Sequence, residues 1–162
     1  LGSGFGYLVI GIIVAIIWLI GLIWMVTWGR HSDKTLERIH HTAAPFIIGA
    51  VGSALALAFP SNFVIVTIAL VLMTMGVLGG FGAFWSLPTL YLTGAAAAVA
   101  IGFINAIGNL GGFTGPYIVG FVKTITHSFT LAYLVLTIFF IIALILTYSL
   151  RLFKQVQTSS KP

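Results

Sequence analysis

The sequence predicts an all-α protein that crosses a membrane as a bundle of five helices. Sixty per cent of its 162 residues are hydrophobic and 6% are charged, and its mean hydropathy is +1.19. A soluble domain of this size needs many more polar side chains to cover its surface. Five apolar runs follow one another along the chain, and their lengths suit a polytopic transmembrane helix bundle.

The first two spans flank the most hydrophilic stretch inside the chain. The first, residues 7–28, is apolar throughout and exceeds the roughly 20 helical residues that cross a bilayer. The second, residues 44–59, carries small residues at helical spacing, which predicts a face for close helix contact. That predicted face consists of Ala50, Ala54 and Ala58. Between the two spans, residues 29–42 contain both acidic residues of the chain, and we expect a solvated loop.

The remaining three spans differ in their glycine, proline and amide content. The third, residues 63–85, becomes glycine-rich in its second half, where we expect close packing or a bend. The fourth, residues 95–122, is longer than a bilayer requires, and we expect Gly115 and Pro116 to kink it. The fifth, residues 129–150, contains no glycine and only hydroxyls as polar groups, which predicts the most lipid-exposed helix.

A polar stripe on the fourth span is the strongest functional signal in the predicted helices. At helical spacing the stripe contains Ala98, Gly102, Asn105, Asn109, Gly112 and Pro116. An unsatisfied amide inside a bilayer costs several kcal/mol, so Asn105 and Asn109 should face other helices or a water-filled cavity. Two interpretations remain open. The amides either form hydrogen bonds between helices, typically well under ~2 kcal/mol each, or line a solute pathway.

Lysine and arginine are distributed unequally over the two sides that five spans create. The first loop and the segment after the last span together carry six of the seven basic residues, and Lys123 lies on the opposite side. This asymmetry predicts a multi-pass protein of the inner or plasma membrane whose 29–42 loop and C-terminus are cytoplasmic. Because the basic residues lie at helix ends and form no patch, we expect no nucleic-acid partner.

Three groups of short motifs resemble those of a transporter family. The first is Gly29-Arg30-His31-Ser32-Asp33-Lys34 followed by Glu37-Arg38, which is similar to the cytoplasmic loop of major facilitator transporters. The second is Phe84-Trp85-Ser86-Leu87-Pro88-Thr89. The third is Ile104-Asn105-Ala106-Ile107-Gly108-Asn109-Leu110-Gly111-Gly112-Phe113, followed by Gly115-Pro116-Tyr117. Together they resemble the anion:cation symporter family, particularly its tartrate, hexuronate, galactonate and phthalate-type members.

The resemblance implies that the five spans correspond to helices eight to twelve of a twelve-helix transporter. Residues 1–162 would then be a C-terminal fragment of a longer protein, in agreement with a first methionine at Met25. The implied function is ion-coupled symport of an organic anion by alternating access, with H⁺ or Na⁺ as the coupling cation. The implied partner is the missing N-terminal half. The chain departs from the family loop at Leu36, where a second glycine is usual, and at Ile39, which is commonly basic.

The resemblance also implies substrate contacts at Trp85, Ser86 and Asn105, with Asn109 as a further candidate. An amide both donates and accepts hydrogen bonds, which suits a hydroxylated acid. An indole provides a flat wall with one donor. The alternative role for Trp85 is an anchor at the membrane interface.

Four residues of the first loop are candidate gating residues: Gly29, Asp33, Lys34 and Arg38. Asp33, near a helix N-terminus and beside Lys34 and Arg38, predicts charge-assisted bonds that latch one state of alternating access. Exposed ion pairs usually contribute under ~1 kcal/mol. The alternative is a solvated turn.

Several other chemistries lack the residues that they need. No predicted span contains Asp, Glu, Lys, Arg or His, so a proton carrier and a cation for a substrate carboxylate would come from the missing half. Cysteine is absent. Adjacent His40 and His41 diverge by about 100° on a helix, so we expect no metal site, and we expect no cofactor and no enzyme activity. The alternative function is a non-transporting membrane interaction or structural protein.

Overall fold

The computed structural model describes residues 6–159 of the chain, with side chains described for residues 6–152. Every regular element in this part of the chain is an α-helix. The helices are α1 (Tyr7–Thr35), α2 (Ile39–Ala58), α3 (Phe63–Gly79), α4 (Phe81–Tyr91), α5 (Gly94–Thr126) and α6 (Thr130–Ser159). The predicted all-α class is confirmed.

Within residues 6–159, five stretches of helix have the length and the apolar composition needed to cross a membrane. Helices α1, α2 and α5 each provide one, and α6 provides one over Thr130–Leu152. The remaining stretch, Phe63–Tyr91, consists of α3 and α4 together. The chain is therefore a multi-pass membrane protein, as predicted. The helices extend beyond several of the predicted spans, and where the bilayer begins along each of them stays a prediction.

The segment 29–42 is largely helical, which corrects the predicted loop. Helix α1 continues to Thr35 and α2 begins at Ile39, so only residues 36–38 connect them. Leu36 ends α1 in the left-handed conformation with φ of 54°. A residue with a Cβ is strained in that conformation and glycine is not. The chain thus keeps a glycine-like backbone at the position where it departs from the family loop.

Helix α2 is central to the fold and packs most extensively against α3 and α6. Part of its contact with α3 is made directly by backbone atoms. A Cβ at Gly76 would lie 2.7 Å from the Gly49 nitrogen, and a Cβ at Gly52 would lie 2.8 Å from the Ala69 carbonyl oxygen. These separations leave no room for larger side chains. We call the contact formed by Gly49, Gly52, Ala69 and Gly76 the glycine seam.

The buried face of α2 differs from the face that was predicted. Ala54 and Ala58 are exposed and Ala50 is half-buried. The buried residues of the helix include Pro45, Gly49, Gly52, Ser53 and Ala56. The prediction of an alanine face was wrong because glycine permits a closer approach of two backbones than alanine does, and α2 turns its glycines toward α3.

The apolar core lies where α2, α3 and α6 meet. It consists of Ala56, Ala69, Met73 and Phe140. A hydrogen bond also joins α6 to α2, because the Thr137 hydroxyl donates to the Ser53 hydroxyl over 2.9 Å. Ser53 is fully buried and its hydroxyl also donates to the Ala50 carbonyl oxygen over 3.1 Å, so the buried hydroxyl is used both as a donor and as an acceptor.

The third span is divided at Gly80, within the glycine-rich half where close packing or a bend was expected. The chain forms a turn there between α3 and α4. A Cβ at Gly80 would lie 2.7 Å from the Thr42 carbonyl oxygen. At the other end of the span, the Asn62 side chain caps α3 by accepting a hydrogen bond from the Ile65 N–H over 3.1 Å.

Helix α5 is the helix with the least cover from the rest of the described chain. Of its residues, only Ala97 is buried among those that the structure describes. Helix α6, which was expected to be the most exposed, buries Ala132 and Phe140. The Phe140 ring packs over Gly49 of α2, and which helix is the most exposed to lipid stays a prediction. Helix α5 continues through Pro116, and the predicted kink at Gly115 and Pro116 stays a prediction.

An apolar cleft of about 1190 Å³ lies between α1, α3, α5 and α6. Its walls include Trp18, Met73 and Tyr133, and Lys123 of α5 is also part of the wall. The Lys123 ammonium lies 4.7 Å from the centre of the Phe129 ring, a distance at which a cation is attracted to an aromatic face. Apart from Lys123, most of the residues that line the cleft are apolar.

Candidate functional site

The two amides of the predicted stripe lie on an open face of α5. Asn105 and Asn109 are exposed, and their side chains form no hydrogen bond with any residue that the structure describes. The stripe around them is also open, since a Cβ at Gly102 or Gly112 would have no neighbour within 4 Å. The amides therefore form no hydrogen bond between the described helices. Such bonds were one of the two interpretations.

The other two predicted substrate contacts lie on α4 and use part of their bonding capacity locally. Trp85 is half-buried, and its ring packs edge-on against Phe81 and Phe84 at centroid distances of 6.0 and 5.3 Å. The Ser86 hydroxyl donates to the Ala83 carbonyl oxygen over 2.7 Å. Among the described residues, no hydrogen bond or ring contact joins either side chain to Asn105. Trp85 and Ser86 thus make their described side-chain contacts within α4.

The predicted gating residues lie where α1 meets the short connection to α2. The Arg38 guanidinium donates to the Asp33 carboxylate over 2.6 Å and to the Ser32 hydroxyl over 3.1 Å. The Ser32 hydroxyl in turn donates to the Glu37 carbonyl oxygen over 3.1 Å. Gly29 and Lys34 belong to α1, and Lys34 is exposed. The predicted pairing of Asp33 with Arg38 is present, and its gating role stays a prediction.

The position of Asp33 corrects one detail of that prediction. Asp33 lies in the last turn of α1, not near a helix N-terminus. A carboxylate is unfavourable at a helix C-terminus, where the helix dipole is negative. The Arg38 cation compensates for this placement. Because Asp33 is 70% exposed, solvent screens the pair and its contribution to stability is small.

Glu37 connects this region to the end of α6. One carboxylate oxygen accepts the His40 backbone N–H over 2.7 Å, and the other lies 3.3 Å from the Arg151 guanidinium. Burial acts to raise the pKa of Glu37, but the hydrogen bonds from His40 and His41 and the Arg151 cation together hold it below the ordinary value. The carboxylate therefore remains charged at mildly acidic pH.

A pair of histidines occupies the centre of this region, and the sequence analysis missed it. His31 Nδ1 lies 2.7 Å from His41 Nε2, so the end of α1 is bonded to the start of α2. The Trp28 indole N–H donates to the His41 carbonyl oxygen over 2.8 Å. That oxygen is available because Pro45, four residues later, has no N–H to donate to it. We call Trp28, His31, Glu37 and His41 the loop cluster.

His40 and His41 are bonded to different partners. The two rings are inclined at 86° to each other, and His40 Nδ1 lies 2.7 Å from the Tyr148 hydroxyl of α6. Within residues 6–152, no group of three or more His, Asp or Glu side chains is placed to hold a metal ion. The signal that pointed to the histidine pair was the presence of His31 and His41 on either side of a short connection. A loop over residues 29–42 would not hold these two side chains at a fixed distance, whereas two helix ends joined by residues 36–38 do.

Comparison with known proteins identifies relatives over most of the chain. A putative tartrate transporter of Agrobacterium vitis is 44% identical over 126 residues, which are 78% of this chain and 29% of the relative. The quinolone resistance transporter of Acinetobacter baumannii is 32% identical over 139 residues, 86% of this chain and 32% of the relative. The inner membrane transport protein RhmT of Escherichia coli is 31% identical over 154 residues, 93% of this chain and 34% of the relative.

These relatives are named transporters and are much longer than this chain. The chain spans about a third of the length of the curated relatives it matches. No family model matches it, and no solved structure matches it at a significant level. The chain thus has five helices of membrane-spanning length in its described part, and it is similar to a partial region of transporters of the anion:cation symporter type of the major facilitator superfamily.

Proposed function

We propose that the chain is part of the C-terminal half of a transporter that carries an organic anion by ion-coupled symport. The proposed substrates are sugar acids or dicarboxylates such as tartrate, hexuronate or galactonate, and the transport cycle is alternating access. The observation that carries the proposal is the open stripe of α5, where two amides lie exposed without a hydrogen-bond partner among the described residues. The names of the relatives support the same function.

The chemistry of these amides suits a hydroxylated substrate. Each of Asn105 and Asn109 provides two N–H donors and one acceptor oxygen, so each can bind a sugar-acid hydroxyl in either direction. Trp85 and Ser86 would add an apolar wall and a hydroxyl acceptor, once the transporter is complete. Two neutral amides do not compensate the charge of a carboxylate in a low-dielectric site. The cation for the substrate carboxylate and the site for the coupling H⁺ or Na⁺ are therefore assigned to the missing N-terminal half.

The apolar surfaces of the chain support a larger assembly in the membrane. Helix α5 has one buried residue among those described, and the cleft of about 1190 Å³ beside it is lined mainly by hydrocarbon. Other helices of the same transporter would cover part of this surface, and lipid would cover the rest. The partners proposed for the chain are accordingly the rest of its own transporter and the bilayer.

Reconstitution tests this division of function. The complete protein in proteoliposomes should accumulate tartrate, a hexuronate or galactonate when a proton or sodium gradient is imposed, and a dissipated gradient should abolish the accumulation. The 162-residue chain alone should show no gradient-driven uptake, because it contains no Asp, Glu, Lys, Arg or His within its predicted spans. Accumulation by the purified chain would show that the division between the two halves is wrong. Failure of the complete protein with all of these anions would contradict the proposed substrate class.

Orientation in the membrane is a separate part of the proposal. The excess of lysine and arginine places residues 36–38 and the C-terminus in the cytoplasm and Thr126 outside. In a cysteine-free version of the complete protein in sealed cells, a membrane-impermeant thiol reagent should label Thr126→Cys at once. It should label Leu36→Cys, whose native side chain is 77% exposed, only after permeabilisation. The reverse pattern would invert the proposed topology.

The gating role of Asp33 and Arg38 follows from that topology. Their ion pair of 2.6 Å would lie at the cytoplasmic side, where it would latch one state of alternating access. Gly29 and Lys34 belong to the same group of gating residues, since both lie in the last two turns of α1.

A further inference from the structure

We propose that His31 and His41 form a proton-binding site that joins the end of α1 to the start of α2. The bond between them persists when one proton is bound and breaks when a second is bound. The proposal concerns the loop cluster alone, so it goes beyond the transport function and does not depend on it. Neither the relatives nor the predicted gating residues assign a role to this pair.

The acceptor of His41 fixes which nitrogen of each ring carries a hydrogen. His41 Nδ1 lies 2.6 Å from the Glu37 carbonyl oxygen, and a carbonyl only accepts, so His41 Nδ1 carries a hydrogen and donates. In the neutral ring His41 Nε2 is then an acceptor. His31 Nδ1, at 2.7 Å from it, must therefore donate. Both rings are protonated at Nδ1, and His31 Nε2 is the unprotonated nitrogen that remains open.

The first proton enters at His31 without disturbing the contact. His31 is exposed, whereas His41 is only 4% exposed, so His31 Nε2 is the accessible site. A proton there makes His31 a cation and leaves its Nδ1–H bonded to His41 Nε2. The bond becomes charge-assisted and therefore stronger. The singly protonated pair is the more tightly joined state.

The two carboxylates nearest the pair are each bonded to an arginine. The Glu37 carboxylate lies 3.4 Å from His41 Nδ1, and its other oxygen is paired with Arg151 of α6. On the opposite side of the connection, Asp33 and Arg38 compensate each other.

Few other titratable residues of the described chain lie around His31 and His41. Helix α1 also carries Arg30 and Lys34, which are both exposed. His40 faces His41 edge-on and is bonded to the Tyr148 hydroxyl. Helices α3 and α4 contain no Asp, Glu, His, Lys or Arg, and Tyr91 of α4 hydrogen-bonds α6.

A second proton is incompatible with the same geometry. It would bind His41 Nε2 and point at the Nδ1–H of His31, so two donors and two cations would face each other across 2.7 Å. The His41 ring is held in place, because it is buried against Trp28 with centroids 5.0 Å apart and its Nδ1 is bonded to the Glu37 carbonyl oxygen. His31 also stacks on Trp28, at a centroid distance of 6.0 Å, but its side chain is exposed, so it is the one that leaves. Release of this bond is the expected response of the loop to acid.

Nuclear magnetic resonance of the full chain in lipid nanodiscs, with ¹⁵N-labelled histidine, tests the proposal. The sequence contains four histidines, so His40 and His127 serve as internal references. At about pH 8 we expect His31 and His41 to be protonated at Nδ1 and coupled through the N–H···N bond. On titration to about pH 4.5, a range that brackets ordinary histidine titration, the first proton should appear on His31 Nε2 with the coupling retained. The second should appear on His41 with the coupling lost.

Two variants separate a proton site from a structural contact. In His31→Gln the amide keeps a donor toward His41 Nε2 but binds no proton, so the first step should disappear while the neutral contact remains. His40→Gln is the matched control and should leave both steps of the pair unchanged. Independent single-step titration of His31 and His41 in the unsubstituted chain would overturn the proposal. A first proton on His41, or a first step that survives in His31→Gln, would also overturn it.

Discussion

Replacing Gly76 by leucine should separate α2 from α3 and destabilise the chain by at least about 2 kcal/mol, in the range for overpacked cores. A Cβ at this position would lie 2.7 Å from the Gly49 nitrogen and 3.1 Å from the Pro45 carbonyl oxygen. These atoms are backbone and cannot rotate away. The whole helix must move to admit the side chain. The expected result is a lower unfolding midpoint for the detergent-solubilised chain and loss of the glycine seam.

Gly82→Leu is the matched control for this substitution. Gly82 lies on α4, where a Cβ would have no neighbour within 4 Å. Leucine has a better helix propensity than glycine by about 0.5–1 kcal/mol, so the control should keep or slightly raise the midpoint. Equal midpoints for Gly76→Leu and Gly82→Leu would show that the seam is not as close as the distances indicate.

Asn105→Ala should reduce substrate uptake by the complete transporter about tenfold while leaving its stability unchanged. Loss of a hydrogen bond of ordinary strength, about 1.4 kcal/mol, corresponds to that factor. Stability should not change because the Asn105 side chain is exposed and has no hydrogen-bond partner in the described part of the chain. Initial uptake rates over a range of substrate concentrations, together with an unfolding midpoint, measure both effects.

Asn62→Ala provides the opposite pattern. Its side chain caps α3, so its loss should cost about 1 kcal/mol of stability while uptake per folded molecule is retained. If Asn105→Ala transports with the kinetics of the unsubstituted protein, Asn105 does not contact the substrate and the proposed role of the stripe must be abandoned.

The helical fold and the number of spans were predictable because they depend on local properties of the sequence. Long apolar runs fix the spans, and the glycine-rich half of the third span pointed to the turn at Gly80. The contact face of α2 was not predictable from small residues alone, because alanines and glycines lie on different sides of that helix. Only the tertiary contact decides that Gly49 and Gly52, not Ala54, face α3.

The loop cluster was less predictable than the stripe on α5. An exposed amide pair is visible in the helical spacing of the sequence, since it needs no partner from another helix. Glu37 instead contacts Arg151 and His40 contacts Tyr148, and these partners are more than a hundred residues away in the chain. His31 and His41 also lie together only because the connection between α1 and α2 is limited to residues 36–38.

The glycine seam has a consequence for how α2 and α3 associate. Glycine and alanine lose no rotamer entropy when they pack, whereas a buried leucine or isoleucine loses about 0.5–1 kcal/mol. The seam therefore forms with little side-chain ordering, and its attraction comes from dispersion between two backbones. Dispersion of this kind loses a quarter to a half of its strength when a gap of about 0.5–1 Å opens. A small outward shift of either helix should therefore weaken this contact steeply, since no side chain at the seam can rearrange to fill the gap.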